Sequence, residues 1–409
     1  MNTTITRRAA LGAASAALAA PAVRAQAPAA VRIGYAVSKT GPNAGGASIT
    51  TIPNYELWVR EVNAAGGLRL GDARVPIQVT EYDDRSVSED AVRAVERLVN
   101  QDRVDFVLSP WGTALNLAVA PILNRAGYPQ LASTAVTDRA PELGRRWANS
   151  FWMLGTGQGA GAGLVEVLGP LKQQGRIGDT VALVAVADGF GIELSNGMRP
   201  ALQRAGFRLT YDRSYPVGTQ DMAPILAEAA RGNPEVFVAC SYPPDTLAIT
   251  EQARVSGFSP KVFYTGVGTA FPLYKGRFGA NTEGVMGVGG VDASSPRFQD
   301  YMRRHVAAAG REPDRWASAI TYASLEMLQQ AIERTAGANG GRIDRAAVIR
   351  DLQNGSFETV IGTVKLQNNL LTDLWQVGQW QGGEFHGLVP VNKAGAKGAL
   401  VPKPAWRAA

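Results

Sequence analysis

The sequence predicts an α/β chain of two lobes, each a mostly parallel sheet flanked by helices, and three observations carry that prediction. Short apolar runs alternate with longer helix-like segments, which is the grammar of parallel strands covered by helices. The alternation starts twice, at Val31 and again at Thr180. Beyond an N-terminal leader the chain has about 380 residues, more than one hydrophobic core usually supports.

The leader comes first. MNTTITRRAALGAASAALAAPAVRAQA carries the pair Arg7–Arg8, an apolar run from Ala9 to Val23, and small residues around Ala25 and Ala27. This reads as an export signal over residues 1–26, too short to span a bilayer. Thr6 before the arginine pair suits the twin-arginine route, although Ala10 and Gly12 stand where Phe and Lys often follow. The leader's three arginines, with no acid among them, make up half of the net charge of +6 and leave +3. The remaining cations are dispersed among acids, as in DDRSVSEDAVRAVERLVNQDR, so no nucleic-acid footprint is expected.

From Val31 the first series runs VRIGYAV (31–37), a helix over 52–65, VPIQVTEYD (75–83), an amphipathic helix over 88–102, VDFVLS (104–109), a helix that Pro121 kinks or restarts, and YPQLAS (128–133). In the second helix Ala91, Val95, Leu98 and Val99 share one face. The second series runs TVALVAVA (180–187), a helix over 191–206, RLTYDRSYP (208–216), a helix over 222–231, EVFVACS (235–241), a helix over 246–257 and KVFYTG (261–266). Two helix-like segments follow (316–337 and 344–355), then strand-like TVKLQ (363–367) and LWQVGQWQGGEF (374–385), which turns at Gly382–Gly383. The Ala-, Lys- and Pro-rich tail from Asn392 reads as loosely ordered.

Several chemistries are excluded. Cys240 is the single cysteine, so no intramolecular disulfide forms, and with His305 and His386 it cannot build a soft-ligand metal site. There is no Asp-rich calcium loop, no Walker A motif and no Gly-x-Ser-x-Gly elbow. Asp83 and Asp84 are adjacent on a strand and point to opposite faces, which suits a cap or a surface better than acid–base chemistry. FWMLGTGQGAGAGL (151–164) places Gly155, Gly157 and Ala160 in dinucleotide-fingerprint spacing. The ribose-binding acid should end the next strand, yet Asp179 precedes it, so a flexible crossing between domains is the plainer reading.

Polar and aromatic residues gather instead just after strands. Trp111-Gly112-Thr113 follows one strand, Ser133-Thr134-Ala135 ends another, and Asp188-Gly189-Phe190 follows a third. Ser241-Tyr242-Pro243-Pro244 and Thr265-Gly266 follow two more. In open α/β sheets that edge is where small ligands bind, and helix starts there favour anions.

The stretches SKTGPNAG (38–45), REVNAAGGL (60–68), VTEYDDRS (79–86), RAGYPQLAS (125–133), EQARVSGF (251–258) and ITYASLEML (320–328), in this order and spacing, resemble the solute-binding proteins of branched-chain amino acid type ABC transporters, the Leu/Ile/Val-binding group. The resemblance implies a type I periplasmic binding fold with three hinge crossovers, an N-terminal lobe of 27–153 plus 287–370 and a C-terminal lobe of 154–286 plus 371–409. It implies that Thr113 holds a ligand carboxylate, that Ser133 to Val136 contacts the ligand backbone, and that Phe190 and Tyr242 are aromatic walls; Trp111 is either a wall or core. Thr265 or Gly266 stands where the amino acid receptors carry a Glu for the ligand ammonium. A buried ammonium without that acid is costly, so the expected solute is a carboxylate with an apolar or aromatic body, unless Asp188, Asp245 or another acid substitutes.

The reading is therefore a periplasmic, monomeric, non-catalytic binding protein, with no cofactor, that delivers a small molecule to an inner-membrane ABC permease. Two other classes stay open: a sensory receptor that signals to a membrane partner, and an exported oxidoreductase using the glycine-rich segment.

Overall fold

The computed structural model describes residues 28–407; the export segment expected at 1–26 lies outside them. β1 (Val31–Val37) is buried throughout except at Arg32, so both of its faces are covered, as in a parallel sheet between helical layers. α1 (Ala44–Thr50), α2 (Ile52–Ala64), a short hairpin of β2 (Leu68–Leu70) and β3 (Ala73–Val75), and β4 (Ile77–Asp83) follow. α3 (Ser88–Asn100) turns Ala91, Val95 and Leu98 inward and holds Glu89 and Asp90 in its first turn, where the helix dipole favours acids. Then come β5 (Phe106–Leu108), α4 (Thr113–Arg125), β6 (Gln130–Ala132), α5 (Ala140–Arg146) and β7 (Ser150–Trp152). α4 is one helix through Pro121, not two. In this lobe β1 lies between β4 and β5, all parallel, with Ile33 facing both Val79 and Phe106.

Residues 153–156 cross into the second lobe. It contains α6 (Gly157–Gln173), β8 (Thr180–Val186), α7 (Gly189–Arg204), β9 (Arg208–Tyr215), α8 (Ala223–Arg231), β10 (Val236–Cys240), α9 (Pro243–Ser256), β11 (Val262–Thr265), α10 (Pro272–Phe278) and β12 (Met286–Val288). Residues 289–295 return to the first lobe, where α11 (Pro296–Ala309), α12 (Ala317–Ala338), α13 (Arg345–Asn354) and the hairpin of β13 (Phe357–Thr359) and β14 (Gly362–Val364) pack. Residues 371–376 cross a third time to β15 (Val377–Gln381) and β16 (Glu384–Val389), joined at Gly382–Gly383, whose positive φ values of 59° and 82° suit glycine. The second sheet has the order β16-β15-β12-β11-β10-β8-β9. Because β12 pairs with β11 and β15, the second crossover begins after Val288, two residues later than the sequence boundary at 287.

Three other expectations change. The glycine-rich segment is no flexible crossing: from Gly157 it is helix α6, pressed against α7. A Cβ on Gly161 would lie 2.5 Å from the Gly197 carbonyl oxygen, and one on Gly197 would lie 1.9 Å from that of Gly157. The glycines let two helix backbones touch. The tail is not loose either: Lys403 N donates to Lys261 O (2.8 Å), Trp406 Nε1 to Phe258 O (2.8 Å), and the Trp406 ring meets Phe263 edge-on at 5.2 Å. Asp84 is fully buried rather than on the surface, accepting from Ser38 Oγ (2.6 Å) and Ser86 N (2.8 Å). Cys240 is free and buried. Among the described residues no helix is long and apolar enough to cross a membrane, and no cluster of His, Cys, Asp or Glu could hold a metal.

Candidate functional site

Each sheet has a point where its strand order reverses, and the loops there diverge to leave a crevice. In the first lobe β1 is flanked by β4 and β5, so the loop after β5 borders that crevice; in the second, β8 is flanked by β9 and β10, so the loops after β8 and β10 do. These loops carry Trp111 to Thr113, Asp188 to Phe190, and Ser241 to Tyr242. The two crevices face each other.

In the first lobe the loops after β5 and β6 are stitched together. Gly112, at φ 91°, donates its N–H to Thr134 Oγ1 (3.0 Å), and Val136 N donates to Thr113 Oγ1 (3.1 Å). Thr134 Oγ1 donates to Pro110 O (3.2 Å), and Asn116 Nδ2 bonds the carbonyls of Pro110 (2.8 Å) and Gly112 (2.9 Å). Thr113 Oγ1 also sits 3.4 Å from Val136 O, a long contact that leaves its proton weakly held. No side chain caps the start of α4. Trp111 lies over α1, where a Cβ on Gly46 would come within 2.2 Å of the indole, and its Nε1 donates to Thr50 Oγ1 (2.9 Å).

In the second lobe two acids cap helices. Asp188 Oδ1 accepts from Gly191 N (3.0 Å) at the start of α7, and its Oδ2 accepts from Tyr242 OH (2.7 Å). Asp245 accepts from Tyr242 N (3.1 Å) in the first turn of α9 and from the Tyr215 hydroxyl. Burial raises both carboxyls, Asp188 above the usual range and Asp245 up to about 6, against the lowering effect of these hydrogen bonds. Burial holds the Tyr242 hydroxyl well above its ordinary value, so it stays protonated and donates. The Phe190 ring stacks on Tyr242 at 5.0 Å.

Across the cleft the lobes touch. Trp111 and Tyr242 rings lie 5.4 Å apart, and a Cβ on Gly189 would be 3.8 Å from Ala114. Glu193 of α7 accepts from Thr137 Oγ1 and from Asp138 N, both at 2.9 Å, while Asp138 Oδ1 accepts from Gln158 N (2.8 Å). The starts of α4, α7 and α9 thus meet at the junction of the lobes, where the Trp111, Tyr242 and Phe190 rings pack in sequence.

The expected residues divide into two groups. Trp111, Gly112, Thr113, Phe190 and Tyr242 meet at the junction of the lobes, where Trp111 both packs on Gly46 and meets the Tyr242 ring. The others turn inward. Ser133 Oγ accepts from Thr321 of α12 (3.1 Å), Thr134 holds the loop, and Ala135 is fully buried beneath it. Thr265 pairs with Thr269 (2.6 Å) inside the second lobe, and Gly266 N donates to Ser241 Oγ (3.1 Å) with no room for a Cβ, which would be 2.4 Å from Ser241 O. The inter-lobe bond of Glu193 was not foreseen, since a glutamate inside an amphipathic helix carries no mark of what it faces. The glycine pair in NAGGAS, beside a strand-end tryptophan, is the signal for the Trp111 seat.

The description "Periplasmic binding protein" belongs to a family model that matches residues 30–384. A Leu/Ile/Val-binding protein homolog 7 from Brucella suis is 22% identical over 356 residues, covering 82% of this chain and 85% of that protein. Two solved structures share the fold. One is the branched-chain amino acid transporter substrate-binding protein LivJ from Streptococcus pneumoniae in complex with isoleucine, 18% identical with a TM-score of 0.72 over 92% of this chain and 100% of that one. The other is an ABC transporter solute-binding protein from R. palustris in complex with benzoate, 18% identical with a TM-score of 0.73 over 92% and 97%. With nearly all of the two-lobed architecture inside the matched span, the chain belongs to the periplasmic binding protein family, whose members are solute-binding proteins rather than enzymes.

Proposed function

We propose that this chain is the periplasmic capture component of an ABC importer, taking a small carboxylate with an apolar or aromatic body into the cleft and presenting it, as a monomer, to an inner-membrane permease. The observation that carries the ligand class is the capping pattern. Three helix starts converge, and each presents partial positive charge. Those of α7 and α9 are answered by Asp188 and Asp245; that of α4, at Thr113, has no acid or hydroxyl cap. An anion completes the set. Both acids already hold two donors each, so a ligand ammonium would have to displace one of them.

The mechanism follows from the contacts. Separation of the lobes parts Trp111 from Tyr242 and opens the cleft. A carboxylate then accepts hydrogen bonds from the Thr113 hydroxyl and from the first N–H groups of α4, while Val136 N keeps its bond to Thr113 Oγ1. The aromatic rings cover the ligand body, and closure is favoured by the extra contacts the closed state makes. Of the two solved structures named above, the one that holds benzoate matches this ligand class, while the one that holds isoleucine carries a ligand with an ammonium as well.

The test is calorimetric titration of the mature protein with benzoate, isovalerate and leucine. Benzoate or isovalerate is expected to bind, leucine weakly or not at all. Thr113→Val should weaken the acids by roughly 10-fold or more, the value of a hydrogen bond to a charged group, and Thr113→Ser should restore them. Tight leucine binding with no response to either acid overturns the ligand class.

A further inference from the structure

A cavity of about 370 Å³ lies between the second and third crossovers. It opens on the face of α12 that bears Ala319 and Ile320, next to Trp316 just before the helix and opposite the face whose Ser318 and Thr321 bond Ile49 and Ser133 of the first lobe. It is therefore separate from the cleft. Its walls are Trp316, Ile320, Phe298, Val360, Ile361 and Trp375. Both indoles are fixed by close backbone: a Cβ on Gly289 would come within 2.1 Å of Trp316, and one on Gly387 within 2.1 Å of Trp375. Neither ring can swing in to fill the space without losing its seat.

The mouth carries Asp292, Asp373 and Lys393. Lys393 pairs with Asp373 and lies 5.5 Å from the Trp375 ring. Asp292 Oδ1 accepts from the N–H and the hydroxyl of Ser294 (2.9 and 2.6 Å), and its second oxygen accepts no hydrogen bond among the described residues. One acid is in excess. The mouth thus favours a cation or a neutral molecule over an anion, the reverse of the cleft.

We propose that this cavity is a second ligand site, for a neutral or cationic aromatic molecule of one or two fused rings. An apolar cavity of about 150 Å³ holds benzene, and this one has more than twice that volume with two indole walls. Because Asp292 and Trp375 stand on or beside the crossovers, an occupant would bias the lobe angle; that consequence, unlike the site, rests on the closure mechanism proposed above.

The probes are indole, tryptamine and its uncharged isostere 3-propylindole, titrated calorimetrically into the mature chain. Saturable binding of all three is expected, with tryptamine tighter than 3-propylindole by up to about five-fold, the range of a partly exposed charge pair. Asp292→Asn should erase that preference. Ala319→Leu, which grows into the cavity from α12, should abolish binding, as should Thr363→Tyr at the exposed lip, a change that leaves the core untouched. Thr113→Val should change nothing. Absence of saturable binding at millimolar probe overturns the site, and so does binding that survives Thr363→Tyr or is lost in Thr113→Val.

Discussion

Alanine at Gly197 should destabilise the protein, although the same change elsewhere in a helix stabilises. An alanine Cβ there would sit 1.9 Å from the Gly157 carbonyl oxygen and 2.5 Å from Gln158 N. A carbon meets a carbonyl oxygen comfortably at about 3.3 Å, so α6 and α7 must part by more than about 1 Å along that line. Overpacking of this kind costs about 1–3 kcal/mol, and parted helices lose dispersion contacts along their length. The intrinsic gain of Gly→Ala in a helix, up to about 1 kcal/mol, offsets part of it. The net expectation is a loss of about 2 kcal/mol. Gly337 is the control: it is exposed in the last turn of α12, and a Cβ there meets nothing within 4 Å. Gly337→Ala should gain a few tenths to about 1 kcal/mol. Urea unfolding followed by circular dichroism, with m-values compared to exclude a change in cooperativity, separates the two. Equal stability of the two variants would refute the packing explanation of the GQGAGAG segment.

Three further outcomes follow from the same contacts. Burial raises Glu326 to about 7, so the folded state holds a proton that the unfolded chain has released, and stability falls as pH rises from about 4.5 through 7. Glu326→Gln, which can still accept from Val360 N, should flatten that fall and leave stability below pH 4 unchanged in melts across the range; a parallel offset at every pH speaks against the linkage. Glu193→Ala removes both inter-lobe acceptors for Thr137 and Asp138 and should shift the ligand-free protein toward open by about tenfold or more, read as a larger radius of gyration in X-ray scattering. An unchanged radius means the bonds do not hold the lobes. Trp406→Ala should cost about 2 kcal/mol in urea unfolding through loss of its contact with Phe263 and its bond to Phe258 O, whereas a loose tail would show almost no effect.

Most of the fold was legible because parallel strands buried on both faces read as uninterrupted apolar runs. VRIGYAV was found at its observed bounds, TVALVAVA one residue too long at its end, and EVFVACS one residue too long at each end, since nothing else of that length and composition competes. The short hairpin of β2 and β3 was not, because three-residue strands carry too little period to be seen. The tail was misjudged for a different reason. Its composition is that of a linker, and what fixes it is long-range: Trp406 reaches Phe258 and Phe263 across more than a hundred residues of chain. Composition reports what a segment can bury by itself, not what surface waits for it.

The same distinction governs the site. Trp111, Phe190 and Tyr242 were visible as aromatic residues after strands, and a strand end has a fixed place in a parallel sheet. Thr265 and Gly266 follow a strand too, yet their side is filled by Thr269 and Ser241, because the glycine lets the loop fold back against β10. Position after a strand therefore selects candidates, and packing decides which of them face the cleft. Charge is decided one level further on. Asp188 and Asp245 could each have faced a ligand ammonium, and the sequence left that open. In the structure each is spent on a helix start and a tyrosine hydroxyl, Tyr242 for Asp188 and Tyr215 for Asp245. An acid that caps a helix is already compensated, and withdrawing it to meet an ammonium exposes two donors at once. The start of α4 holds no such acid, and this inequality among three helix starts is what supports the proposal of an anionic solute.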